Sequence, residues 1–248
     1  MYYNRAELKR EAKTAMSQSD TSPYLIGLLL LLLSAVSSLL SFSLNFPKGT
    51  LTELFRGNLE NFLAITQDSY QIGFFAGLLS FLLNIMFAVI EFGFMIFCVS
   101  VFRRRQNSVG MLFDGFEMFF KVFLLRVITS VFILLWSMLF VVPGIIAAYS
   151  YKFAPFLLID NPHMSVMECI RESKRLTKGY KSDLFILDLS FILWILLTIL
   201  FFPVSIYLSP YYMTTVVGFY DKRLAFDRQQ NSDFVYTDES QNRGGFEN

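Results

Sequence analysis

Four ionisable side chains stand inside stretches that are otherwise apolar: Glu91, Arg126, Lys152 and Asp188. A charge at membrane depth is costly, so it pairs, snorkels to the headgroups or faces water, and it is a functional-site candidate by default. Two acids and two bases allow mutual compensation. Glu91 and Lys152 lie away from span ends and form the first expected pair. Asp188 and Arg126, both near the inner interface, form the second. Arg126 has the alternative of snorkelling to the cytoplasmic headgroups. Asn84 shares a helical stripe with Glu91 and adds a hydrogen-bonding group. Pairs of this kind either fix helix packing alone or line a polar cavity that takes a solute or couples to protons. Glu91, Asp188, Lys152 and Tyr149 contain the groups of an acid/base site, but no spacing argues for one.

Other chemistries find little footing. There is no glycine-rich phosphate loop, nucleophile elbow or HExxH motif. His163 is the single histidine, and Cys98 and Cys169 are the only cysteines, without metal-ligand spacing. No catalytic, cofactor or metal residues are expected, and a structural disulfide is not expected either.

The elements that must hold these residues are membrane helices. The chain has 248 residues, 54% of them hydrophobic, including 29 Phe, and its apolar runs exceed what a soluble core needs. With a net charge of +1, no global field favours nucleic acid. The organising stretch is the apolar run 72–102, closed by Arg103-Arg104-Arg105. Within it Gly73, Gly77, Ser80, Asn84, Ala88 and Glu91 recur three or four residues apart, which puts them on one helical face. Small residues let a second backbone approach in lipid, so Gly73, Gly77, Ser80 and Ala88 are expected to pack helices, with the Phe-rich back toward acyl chains.

Six spans are expected, at about 24–46, 72–102, 122–142, 145–159, 184–202 and 204–220. The fourth and sixth are short and proline-broken. Broken spans need protein or water to meet the freed backbone. The breakers at 143–144 and at 203 read as hairpins or kinks, with a hairpin preferred at the first. The fold class is all-α: a polytopic membrane helix bundle with amphipathic interfacial helices. Three amphipathic segments fit the latter role: 4–18 on the cytoplasmic surface, 50–66 outside, and an elbow at 164–179. In the elbow, Ser165 and Glu168 have capping-box spacing and Gly179 suits a C-cap. Its cations suit anionic lipid. Residues 1–225 make one membrane domain, and 226–248 a polar cytoplasmic tail, disordered past about 230. Of the 21 Lys and Arg, only Lys48 and Arg56 fall on the outer side, so both termini are expected in the cytosol of a cell-membrane protein. A weak internal echo runs through Trp136, Pro143, Pro155 and Asp160 and again through Trp194, Pro203, Pro210 and Asp221.

NRAELKREAK at 4–13 and the block 143–194, with Pro-Gly-Ile, Tyr-Ser-Tyr, Ala-Pro and Asp-Asn-Pro ahead of the basic elbow, resemble a known family. It is a family of bacterial integral membrane proteins catalogued as domain of unknown function 975. The resemblance covers residues 4 to about 225, and SDTSP at 19–23 departs from the Gly-Asn-Trp type of entry to the first span. It implies a multi-span plasma-membrane protein and carries no reaction or ligand. The expected role is therefore non-enzymatic and envelope-associated: membrane protection or immunity, or assistance to a partner protein. The alternative is a small transporter or channel component that uses Glu91 and Lys152. The bilayer is the expected partner, with a protein partner or homo-oligomer further candidates.

Overall fold

The computed structural model describes residues 4–45, 56, 60 and 70–244, with side chains at 4–40, 56, 60, 75 and 77–230. The expected outer amphipathic segment at 50–66 therefore lies almost wholly outside the described residues. The described elements are helices: α1 (Arg5–Ser17), α2 (Pro23–Asn45), α3 (Tyr70–Phe102), a 3-10 segment (Val109–Met118), α4 (Phe119–Leu139), α5 (Val141–Tyr151), α6 (Ala154–Asp160), α7 (Val166–Thr177), α8 (Lys181–Leu189), α9 (Ile192–Leu200) and α10 (Ser205–Gly244). Among the described residues four stretches are long and apolar enough to cross a membrane, Pro23–Leu40, Gly77–Phe102, Val109–Leu139 and Val141–Asp160. The bent pair α8–α9 passes the same test when its two helices are taken as one span, which makes a fifth.

α3 has 33 residues and is about 50 Å long, against about 30 Å of hydrocarbon in a bilayer. The excess divides it in two. Phe75, Leu78, Phe81, Leu82 and Met86 are exposed, as a lipid-facing surface is. From Val89 to Val101 the helix is sunk in protein, with Phe92, Phe94 and Phe97 all buried. The expected Phe-rich lipid face therefore exists only in the first half. In the second half α1, α10 and the 3-10 segment cover it.

The closest backbone approaches also fall elsewhere than on the expected stripe. A Cβ on Gly77 would meet nothing within 4 Å, whereas one on Gly93 would run into the Leu112 carbonyl of the 3-10 segment. Gly27 of α2 lies in the same way against the Ile206 backbone, and Gly144 against Ser137. Gly93→Ala should thus cost about 1–3 kcal/mol through overpacking, while Gly77→Ala is neutral or stabilising by up to about 1 kcal/mol. Thermal unfolding in detergent reads both. Equal effects would contradict this account of α3.

The expected sixth span became the first half of α10, and it is not among the membrane-length apolar stretches. Its Tyr, Ser and Thr lower its hydropathy, and they suit a protein interior. Thr214, Thr215, Val216, Val217, Phe219 and Tyr220 are all buried. Pro210 is accommodated within the helix rather than breaking it. The hairpin between α4 and α5 turns at Phe140, whose backbone is extended, so Pro143 sits in the first turn of α5. The spacing from Phe140 to Asp160 is repeated from Phe201, the residue before the second turn, to Asp221.

Two helix breaks are met by groups from elsewhere in the chain. Between α5 and α6, the Ser173 hydroxyl of α7 accepts from the Phe153 N–H at 3.1 Å and donates to the Ser150 carbonyl at 2.8 Å. Both hydrogen-bonding groups freed by the break are thereby satisfied inside the core. The expected fifth span bends by 42° between α8 and α9. The Ser190 carbonyl released there accepts from Lys9 Nζ at 3.1 Å, and the same ammonium lies 4.0 Å from the centre of the Phe191 ring.

That lysine comes from α1, whose apolar face is turned to protein. Its apolar face, Leu8, Ala12, Ala15 and Met16, is buried against α10 and α3, and Lys222 bonds Glu11 at 2.9 Å. α7 has the expected capping box on Ser165 and Glu168, and Gly179 follows it at φ +85°. Its apolar face, too, is covered by protein, from α5, α6, α4 and α10. In both helices the apolar stripe is as anticipated and the surface it meets is not. Past residue 230 the helix backbone of α10 continues to Gly244, with side chains outside the description.

Candidate functional site

Three charged clusters stand at different depths of the bundle. The first gathers at the helix breaks. Lys152, at the end of α5, places Nζ 2.8 and 2.7 Å from the two carboxylate oxygens of Asp188 on α8. Tyr149 and Tyr212 each donate a hydroxyl to the same carboxylate, at 2.8 and 2.9 Å, and Lys152 reaches the Tyr212 oxygen at 3.0 Å. The side chains of Lys152 and Asp188 are only 18% and 23% exposed. The charge is neutralised and both carboxylate oxygens are satisfied, so this cluster locks α5, α8 and α10 together.

The second cluster is more open. Arg126 Nη2 of α4 reaches Glu91 Oε2 of α3 at 3.3 Å, with side chains 61% and 40% exposed. The expected partners are therefore exchanged: Glu91 meets Arg126 rather than Lys152, and Asp188 meets Lys152 rather than Arg126. Helix adjacency is the reason. α4 runs beside α3, while the break after α5 turns Lys152 toward α8. The Glu91–Arg126 pair lies in a cleft of about 630 Å³ between α3 and α4, lined also by Asn84, Ala88, Thr129 and Ser130 and floored by Tyr151 and Pro155. Asn84 donates to the Ser80 carbonyl at 2.7 Å. Gly77 and Ser80 stand outside this cleft, and the side-chain position of Gly73 lies outside the described residues.

The third cluster was not anticipated. Arg103 is clamped by two aspartates: Nη1 and Nη2 meet Asp160 at 2.5 and 2.9 Å, and Nε and Nη2 meet Asp221 at 3.0 and 2.6 Å. Tyr220 donates to Asp160 at 2.8 Å. The hydrogen bonds that the guanidinium donates to Asp221 and then to Asp160 push its already high pKa further up. One side chain thereby ties the ends of α3 and α6 to the middle of α10. The two acidic ends of the internal echo were the available signal, and a triplet of arginines concealed which one they shared. Arg104 closes α3 in the left-handed region at φ 53°, with Arg105 N–H returning to the Ser100 carbonyl at 2.9 Å. That is the C-terminal motif glycine usually serves.

The same end of the molecule collects further ties. Thr21 bonds Asn107 through its N–H at 2.8 Å, and Arg175 bonds Asp227 at 2.8 and 2.6 Å. Hydrogen bonds from Arg175, reinforced by its charge and that of Arg223, hold the Asp227 carboxyl below the usual carboxylate range. A depressed carboxylate contributes stability that is complete above about pH 4 and lost as pH falls through its folded pKa. Protection of 223–230 against hydrogen exchange, taken relative to the intrinsic amide rate at each pH, should therefore fall in acid below about pH 4. Asp227→Asn should exchange faster already at neutral pH and lose that response. An unchanged profile in the variant would remove Asp227 as its source.

Cys98 and Cys169 are free and buried. Among the described residues no group of three His, Cys, Asp or Glu gathers as a metal site does.

Fold and site together define a polytopic helix bundle whose deep charges are paired and whose cleft opens sideways on the apolar surface. A family model described as a protein of unknown function (DUF975) matches residues 1–154 and 138–225, and the chain belongs to that family. No curated protein and no solved structure matches it.

Proposed function

We propose that this chain is a non-enzymatic, multi-pass protein of the bacterial plasma membrane that works by holding a membrane-embedded amphiphile in the α3–α4 cleft. An envelope role, membrane protection or assistance to a partner, is exercised through that grip. The carrying observation is the Glu91–Arg126 pair. Unlike Lys152–Asp188 it is half exposed, and it stands in a cleft whose rim is apolar and open. Arg103 to Arg105, Arg171, Lys174 and Lys222 belong to the end where α3, α6 and α10 are clamped, so the positive-inside rule makes that end cytoplasmic. Exposed Arg171 and Lys174 on α7, and Lys178 just after it, remain available there to anionic headgroups.

The test is genetic. Deletion should change sensitivity to membrane-active peptides, wild type should restore it, and a Glu91→Gln/Arg126→Gln variant should restore it poorly. Unchanged sensitivity on deletion removes the envelope role.

A second reading, transport, is favoured by one observation. Two discontinuous helices meet at Lys152–Asp188, as broken helices meet around transporter sites. It requires a flux in proteoliposomes that Lys152→Met abolishes in folded protein.

A further inference from the structure

We infer that the α3–α4 cleft is a binding site for one phospholipid whose headgroup carries both a phosphate and an ammonium, of the phosphatidylethanolamine type. The inference rests on the reading of the cleft as an amphiphile site and names its occupant.

The polar end of the site is half-used. Arg126 spends one N–H on Glu91, at 3.3 Å. A guanidinium has five donors, and among the described residues the other four on Arg126 make no hydrogen bond. Glu91 Oε1 is likewise without a partner there. A phosphate accepts a paired set of guanidinium N–H groups with good geometry. The free carboxylate oxygen beside it suits an ammonium. A purely anionic headgroup would satisfy Arg126 and be repelled by Glu91, so the juxtaposed opposite charges select a zwitterion.

The apolar end fixes the source of that phosphate. Phe81, Val127 and Val131 form part of the wall and are 57%, 40% and 46% exposed, so the cleft is continuous with the surface offered to acyl chains. Its volume, about 630 Å³, lies in the usual range of small-molecule sites. A free phosphate would have to cross that rim, whereas a lipid enters along it. Depth agrees as well. Arg126 is five residues beyond Lys121, about 7.5 Å along the helix, and Lys121 bonds the Met164 carbonyl at 3.4 Å beyond the inner end of α6. A headgroup therefore needs to sink by little more than one helical turn to reach it.

The full chain, purified in mild detergent, is titrated with dioleoyl-phosphatidylethanolamine and separately with dioleoyl-phosphatidylglycerol, and adducts are counted by native mass spectrometry. The expected result is a one-to-one ethanolamine-lipid adduct, weakened about tenfold or more in Arg126→Gln. Glu91→Gln should move the preference toward the glycerol lipid. Unaltered binding in both variants, or adducts without stoichiometry, overturns the proposal.

Because a variant can fail for lack of folding, a wild-type measurement accompanies these. In vesicles containing an acyl-chain diazirine ethanolamine lipid, crosslinks should concentrate at 81–92 and 122–131. An even spread around the apolar surface, or occupancy of the cleft by a helix of a second copy, overturns it too. If lipid binds here while gene deletion leaves the envelope unaffected, the envelope role falls and the site stands. If a peptide crosslinks here and the lipid does not, the cleft reading survives and the lipid falls.

Discussion

Arg103→Gln will destabilise the folded chain by about 3–5 kcal/mol, the range for removing one partner of a buried ion pair. Arg104→Gln and Arg105→Gln will stay within about 0.5 kcal/mol of wild type, as surface substitutions do. Denaturant unfolding in detergent micelles measures all three. The asymmetry follows from geometry. Arg103 and its aspartates are 19%, 16% and 22% exposed, and loss of the guanidinium leaves two carboxylates facing one another with no cation between them. Arg103→Lys should rescue only in part, because a compact ammonium lacks the fork that serves both aspartates at once. Asp160→Asn placed on Arg103→Gln should recover part of the loss by removing the repulsion, a coupling that a double-mutant cycle isolates. Three arginines of equal effect would show that the triplet acts only as a topological anchor.

At the helix breaks the expected order is Asp188→Leu worse than Lys152→Met, with the double variant better than the worse single. Lys152→Met leaves a carboxylate that still accepts from Tyr149 and Tyr212, at 2.8 and 2.9 Å. Asp188→Leu strands an ammonium with the Tyr212 oxygen and two ring faces 5.2 and 5.5 Å away. The cost of an uncompensated buried charge is about 3–5 kcal/mol, and replacing both partners by apolar groups is often close to neutral. Melting temperatures of the two singles and the double decide it. If the singles are equal and additive in the double, the cluster is not a coupled unit. The same double variant separates the two functional readings: folded protein with its envelope effect intact argues for a packing role, and folded protein that has lost a flux argues for transport.

The resemblance at 4–13 and 143–194 pointed to the family that the model match identifies, and much of the architecture followed from local chemistry. The capping box at Ser165, the glycine after α7, the hairpin near Pro143 and the apolar stripes of α1 and α7 are determined by neighbours within a few residues. So is the need of each broken span for an external partner. What no local pattern contains is the identity of that partner. Ser173 for the α5–α6 break and Lys9 for the α8–α9 bend come from distant parts of the chain.

The charge pairing is the clearest case. The sequence by itself determined that Glu91, Arg126, Lys152 and Asp188 called for compensation, because an ionisable group in an apolar run is costly unless it pairs, snorkels or faces water. Only the tertiary structure decided who compensates whom. That choice depends on which helices are neighbours, and composition leaves either match equally balanced. The same holds for Arg103, chosen from three adjacent arginines by where the end of α6 meets the middle of α10. It holds for α3 as well: a run of uniform hydropathy faces outward in one half and protein in the other, because apolar side chains satisfy a lipid surface and a protein core alike.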